Sequence, residues 1–429
     1  MKNFQIIVLI VFIAAAIFGI LVFSGTIPLG SNSANTGSQG TVVLWGTQNA
    51  QTVNALLDDF NRANPTMVVK YAQKPADSFD KDLLEAMASG TGPDMFFITD
   101  GLAFKYSNKI FTIPYQSFSV STFQSNFLTA GEVFLSDKGV IAFPIAIDPL
   151  MMYYDRSAFD SNGIVYPPAY WDDLGAMVPK LTKKDDRGAI IESAIGLGQF
   201  SNINSAKEIL SALFMQAGSG IVAQKNGSFA STLGDTAQYD LGSVLKFYTS
   251  FADPLQSVYS WNKSFPLARD AFSSQKLAIY FGFASELRDL INKNPNQNFL
   301  TAPIPQIKNS GSKLTFAHVT GIAVASASKN LNTAFTAAGL LASGDFAAKL
   351  SDNLGMVPAR RDLVKNLPTD AYMSQFYSSA LFARSWLDPS PEDSDNIFRN
   401  MVDKVLSNSL SPSESVNDAS AKLDLLLAR

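Results

Sequence analysis

Apolar residues fall into short continuous runs that alternate with stretches of helical spacing. Residues 41–45 (TVVLW) read as a buried strand. Val53, Leu56, Leu57 and Phe60 follow at i, i+3, i+4 and i+7, one face of a helix that stops before Pro65. Residues 67–71 form a second apolar run. Phe79, Leu83, Leu84 and Met87 mark a second helix closed by Gly90, and residues 94–98 are a third strand. The order β-α-β-α-β predicts an α/β fold built on a parallel sheet. The third run ends on a carboxylate, in GTGPDMFFITDG (90–101). A charge at a buried strand tip is costly unless something there uses it. Ligands of open α/β sheets bind beyond the carboxyl ends of strands, so Trp45-Gly46-Thr47-Gln48 and Thr99-Asp100-Gly101 are expected to converge on one cleft.

In residues 139–159 (GVIAFPIAIDPLMMYYDRSAF) two apolar extended runs flank Asp148-Pro149, which predicts a strand, a proline break and a second strand, as in a chain crossing between domains. PPAYWDDL (167–174) predicts a turn into a helix, and residues 181–189 an exposed charged loop. Helices are expected over 206–217, 237–252 and 285–292. Strands are expected over 277–281, 299–303 and 319–325, with mostly helix beyond.

The first residues change the picture. Residues 4–23 (FQIIVLIVFIAAAIFGILVF) hold no charge, and at about 1.5 Å per residue they span roughly 30 Å, enough to cross a bilayer. Lys2 keeps the amino end cytoplasmic, which places the rest outside the membrane. The alternative is a cleaved signal peptide. Residues 24–40 are polar and rich in Gly, Ser and Asn, a flexible tether.

Composition narrows the chemistry. The 429 residues suit two domains, and 47% hydrophobic against 16% charged fits a well-packed globule. A net charge of −4 without a basic block argues against nucleic acid as a partner. With no cysteine and a single histidine, His318, disulfides, thiolate chemistry and a multi-histidine metal site are excluded within one chain. No cofactor or metal is expected, nor any catalytic residue. The acids of LDPSPEDSDN (387–396) lack EF-hand spacing and read as a helix start.

Several of these segments together resemble the extracellular solute-binding proteins of ABC importers, of the maltose/oligosaccharide-binding type. They are the Trp45 strand, DDFNRANPTMVVKY, LLEAMASGTGPDMFF, VIAFPIAIDPLMMYYDRSAF, YPPAYWDDL, ARDAFSSQKLAIYFGFASEL, TGIAVASASKNLNTAFTAAGLLAS and NLGMVPARRDL, whose order and spacing cover nearly all of 41–429. The resemblance implies two α/β lobes with a hinge of crossing segments and an interlobe cleft. It implies lobe one from 41–147 and 283–328 and lobe two from 148–282 and 329–429. The crossings would lie near Asp148-Pro149, Phe281-Gly282 and Lys329-Asn330. It also implies a monomeric receptor that passes a carbohydrate to transporter permease subunits, here tethered by the single pass read from residues 4–23. The family's usual lipidated cysteine is absent, so the transmembrane anchor would replace it, and Phe283 stands where many sugar-binding members carry Trp.

Sugars need flat aromatic faces and fixed polar groups. Trp45, Tyr259, Trp261, Phe283 and Trp386 are candidates for the first role. Gln48, Asp100, Asp148, Gln199, His318 and Arg360 are candidates for the second. Two other readings stay open: a receptor that reports to a membrane sensor, and a secreted carbohydrate-active enzyme using Asp100 and Asp148 as an acid/base pair.

Overall fold

In a computed structural model that describes residues 39–225 and 227–428, the first apolar runs form the parallel ladder expected of them. Strand β1 (Gly40–Gly46) pairs with β2 (Met67–Gln73), Gly40 opposite Met67, and with β3 (Met95–Thr99), Leu44 opposite Met95. Helix α1 (Ala50–Ala63) starts where the Asn49 side chain accepts the Thr52 N–H. Helix α2 (Phe79–Ser89) stops at Gly90, whose φ of 72° is the left-handed C-cap that glycine adopts without steric cost. Met95 to Ile98 are all buried, because a central strand of such a sheet is covered on both faces. The predicted anchor at 4–23 and nearly all of the tether lie outside the described residues. Among the described residues no helix is long and apolar enough to cross a membrane.

Strand β4 (Phe143–Asp155) is buried along its whole length and runs straight through Asp148-Pro149, where a break was predicted. β5 (Ile190–Ile195), β6 (Leu277–Phe283), β7 (Phe299–Pro303) and β8 (Thr315–Val324) complete the main sheet. Its order is β2-β1-β3-β8-β4-β6-β5, with β7 also on β4. Up to Pro149, β4 pairs with β8; from Leu150 onward it pairs with β6 and β7. Proline's missing N–H thus falls at a change of partners, which a strand tolerates far better than a mid-ladder position.

That change of partners divides the molecule into two α/β lobes on one sheet. α1 packs on β2, and two later helices, α5 (Leu331–Ser343) and α6 (Asp345–Asn353), close the first lobe: α5 lies on β1, β2, β4 and β8, and α6 lies on α1. In the second lobe, α3 (Ala206–Gln216) and α4 (Leu241–Ser250) pack with α8 (Pro391–Leu406), and α9 (Pro412–Leu427) packs on α4 and α8. There α7 (Ala371–Ala380) covers β4 and β7. Packing therefore changes side at Asp148–Pro149, again near His318, and again after the short strand Val357–Pro358, which pairs with Ile147 and Ala146. Near Phe281-Gly282 and Lys329-Asn330, two of the expected crossings, the neighbours are as follows. β7, which follows β6, pairs with the same half of β4 that β6 does, and α5 stays with β1 and β2. An apolar pattern shows that an element is buried, not which neighbour buries it.

Candidate functional site

The ends of β3 and the crossing strands line a half-open cavity of about 350 Å³ between the lobes, inside the ordinary range of small-molecule sites, roughly 300–1,000 Å³. Thr99, Asp100 and Gly101 close it from the first lobe. Asp148, Phe316, His318 and Thr320 form its floor on β4 and β8. Lys207 and Glu208 in the first turn of α3, with Trp386, Asp388 and Pro391, face them from the second lobe. The walls touch. A Cβ on Gly101 would lie 2.9 Å from Pro391 Cγ, and Phe104 meets Phe229 edge-on at 5.7 Å.

Asp100, the carboxylate at the strand tip, is 3% exposed and is not a helix cap. It accepts the Val319 N–H at 3.0 Å, the Ser385 hydroxyl at 3.0 Å, and faces His318 Nδ1 at 3.1 Å. Burial pushes its pKa up, but the His318 charge and these hydrogen bonds outweigh burial and hold it below the usual carboxylate value. Asp148 is nearly as buried, at 5%, and among the described residues its donors come from Ser285 alone: the N–H at 3.0 Å and the hydroxyl at 2.6 Å. There burial wins and the pKa rises to about 6. Burial would push His318 down, but Asp100, Glu208 and Asp148 around it raise it to about 9. Phe283 and Phe316 fix the imidazole, their ring centroids 4.7 and 5.0 Å from its own.

On the second lobe, the Lys207 ammonium lies 2.8 Å from Asp388 Oδ2, 3.2 Å from the Pro391 carbonyl and 3.0 Å from Ser394 Oγ. Trp386 is 4% exposed, stacks on Phe398 and donates its indole N–H to Ser211.

Of the residues expected from sequence, the structure brings Asp100, Asp148, His318 and Trp386 to this cavity, with Phe283 against the imidazole. The others stand elsewhere. Trp261 is fully buried in the core, stacked on Phe265 at 4.5 Å and bonded to Asn202. Tyr259 lies beside it, its hydroxyl held by Asn262. Gln199 lines a shallow surface depression with Ala252 and Lys263. Trp45 carries the Lys74 ammonium 3.7 Å over its ring, and Gln48 accepts the Tyr71 hydroxyl. Arg360 is spent on a bidentate pair with Asp362, at 2.9 and 2.7 Å. Lys207 and Glu208 escaped the sequence reading. Their signal was Lys207 itself, a lysine on the face of α3 that Leu210 and Phe214 put in the core. Asp388, set aside as part of a helix start, does accept the Ser390 N–H there, but it also holds Lys207.

The profile of the bacterial extracellular solute-binding protein family matches residues 27–345, most of the chain. The chain belongs to that family. A binding protein of Brucella abortus (strain 2308) is 23% identical over 392 residues, 86% of this chain and 88% of its own. The cyclic α-maltosyl-1,6-maltose binding protein of Arthrobacter globiformis superposes with a TM-score of 0.74 at 16% identity, covering 91% of this chain and 99% of the other. The sugar-binding protein of the phytopathogen Xanthomonas citri gives 0.72 at 18% identity, over 91% and 98%. As a solute-binding protein, the chain has the two-lobed architecture of these relatives, with a half-open cavity where its lobes meet.

Proposed function

We propose that this solute-binding protein captures a sugar or oligosaccharide in the interlobe cavity and delivers it to an ABC importer. The cavity carries the reading: carboxylates and an imidazole stand beside aromatic and thioether walls (Phe316, Trp386, Met356), the mixture that a hydroxylated ring with apolar faces requires. Structural neighbours that bind maltosyl and other sugars support the same class. Capture proceeds by lobe closure about the crossings at Asp148-Pro149, at His318 and after Pro358. The uncharged run 4–23 tethers the receptor, with the lobes outside the membrane.

A thermal-shift panel on the purified full chain in detergent tests this. A sugar at about 100 times its Kd stabilises by roughly 2.7 kcal/mol, read as a shift of a few degrees. The sugar is recovered intact afterwards, as from a receptor. A panel in which only peptides or anions shift the melt contradicts the sugar reading, and cleaved sugar contradicts the binding role.

A further inference from the structure

The charged groups around the cavity differ in how much of their hydrogen-bonding capacity is already used. Lys207 gives all three protons to protein acceptors. Asp388 takes Lys207, Ser390 and Ser394; Asp100 takes three donors; Asp148 takes two from Ser285. Two functions stay open. His318 uses Nδ1 on Asp100, and among the described residues Nε2 has no hydrogen-bond partner. Glu208 is hydrogen-bonded by no donor among the described residues; His318 Nε2 stands 3.8 Å away, beyond hydrogen-bond distance, although the glutamate side chain is only 15% exposed. A carboxylate that lines the cavity with no donor among the described residues has its acceptor capacity left for a solute.

We propose that Glu208 and His318 Nε2 together clamp one hydroxyl of the bound solute, which donates to the carboxylate and accepts from the imidazole, and that this pair selects neutral sugars over phosphorylated or carboxylated ones. The inference rests on the sugar reading above. A hydroxyl oxygen at ordinary distance, about 2.8 Å from each partner, spans a 3.8 Å gap, and a hydroxyl can donate and accept at once. The imidazole carries a proton on both nitrogens at neutral pH, so Nε2 is a donor. Charge points the same way. Four carboxylates line the cavity against two cations, Lys207 and His318, and Lys207 has no proton to spare. An anionic solute would meet the Glu208 carboxylate, and the one cation beside it, His318, is already shared with Glu208 and Asp100.

The test is calorimetric titration of the full chain in detergent, wild type and Glu208→Gln, with glucose, maltose, maltotriose, glucose 6-phosphate, maltose 6′-phosphate and glucuronate. The expected result is a neutral sugar that binds, an anionic counterpart at least tenfold weaker, and an affinity for the neutral sugar about tenfold or more lower in Glu208→Gln. The unliganded melting temperature of the variant stays close to wild type, which separates lost recognition from lost fold. The chain's only histidine gives one imidazole signal by NMR, and the bound neutral sugar should shift it in wild type and less in the variant. A neutral sugar bound within twofold by Glu208→Gln, or an anionic counterpart bound as tightly as the neutral one, overturns the clamp and leaves the sugar reading standing. Silence from every neutral sugar overturns both.

Discussion

On the wall formed by the first lobe and the crossing strands, buried charge is tied to distant parts of the chain: Asp100 to His318, Val319 and Ser385, and Asp148 to Ser285. On the facing wall, Lys207 and Asp388 neutralise each other inside the second lobe, bridged by Ser394, and Glu208 beside them has no hydrogen-bond donor among the described residues. The first wall uses its charges to join segments that meet where the lobes meet. The second uses a closed pair to hold the start of α8 against α3. Buried charge in this cavity is therefore mostly structural, and the chemistry left for a solute is small and localised.

Breaking the closed pair should have the largest effect. Lys207→Ala leaves Asp388 buried without its cation and should cost about 3–5 kcal/mol of stability, measured by urea unfolding. Replacing both partners, as in Lys207→Met with Asp388→Leu, should recover most of that loss, since apolar residues can substitute for a buried pair. Failure to recover would mean that Asp388 matters for more than Lys207.

Asp100→Ala comes next. It strands a backbone N–H, a hydroxyl and an imidazole, and should cost about 1.5–3 kcal/mol. A cleft carboxylate waiting for ligand would cost far less in the unliganded protein. An unchanged melting temperature would therefore move Asp100 from the joining role to the solute.

The smallest effect is one of pH. His318 titrates near 9 when folded and near 6.5 when unfolded, so its contribution is complete below about 6.5 and is lost as pH rises through 9. Its side chain is 41% exposed, so screening holds the contribution to under about 1 kcal/mol. The difference in unfolding free energy between wild type and His318→Gln should shrink between pH 6.5 and 9.5. A constant difference would mean that Asp100 and the imidazole are not coupled.

Much of this wall was legible beforehand. The apolar periodicity of residues 41–98 gave the β-α-β-α-β order, and a greasy strand ending in Asp100 marked the cavity's edge. Its partners were not legible, because Val319 and Ser385 lie 219 and 285 residues away. Trp261 and Trp386 looked alike as sequence. One is a core residue whose indole is satisfied by Asn202, the other a cavity wall, and only packing tells them apart. Which lobe α5 joins was not legible for the same reason: its apolar face shows that it is buried, not against which strands.

A crystal structure of the full chain with the tightest-binding neutral sugar tests the central claim most directly. The account predicts the sugar between Trp386 and the β8 floor, one hydroxyl within hydrogen-bond distance of both Glu208 and His318 Nε2, and the Lys207–Asp388 pair unchanged. A sugar seated elsewhere, at Trp45 or Gln199, or one that displaces Lys207 from Asp388 to bind it, would contradict the account.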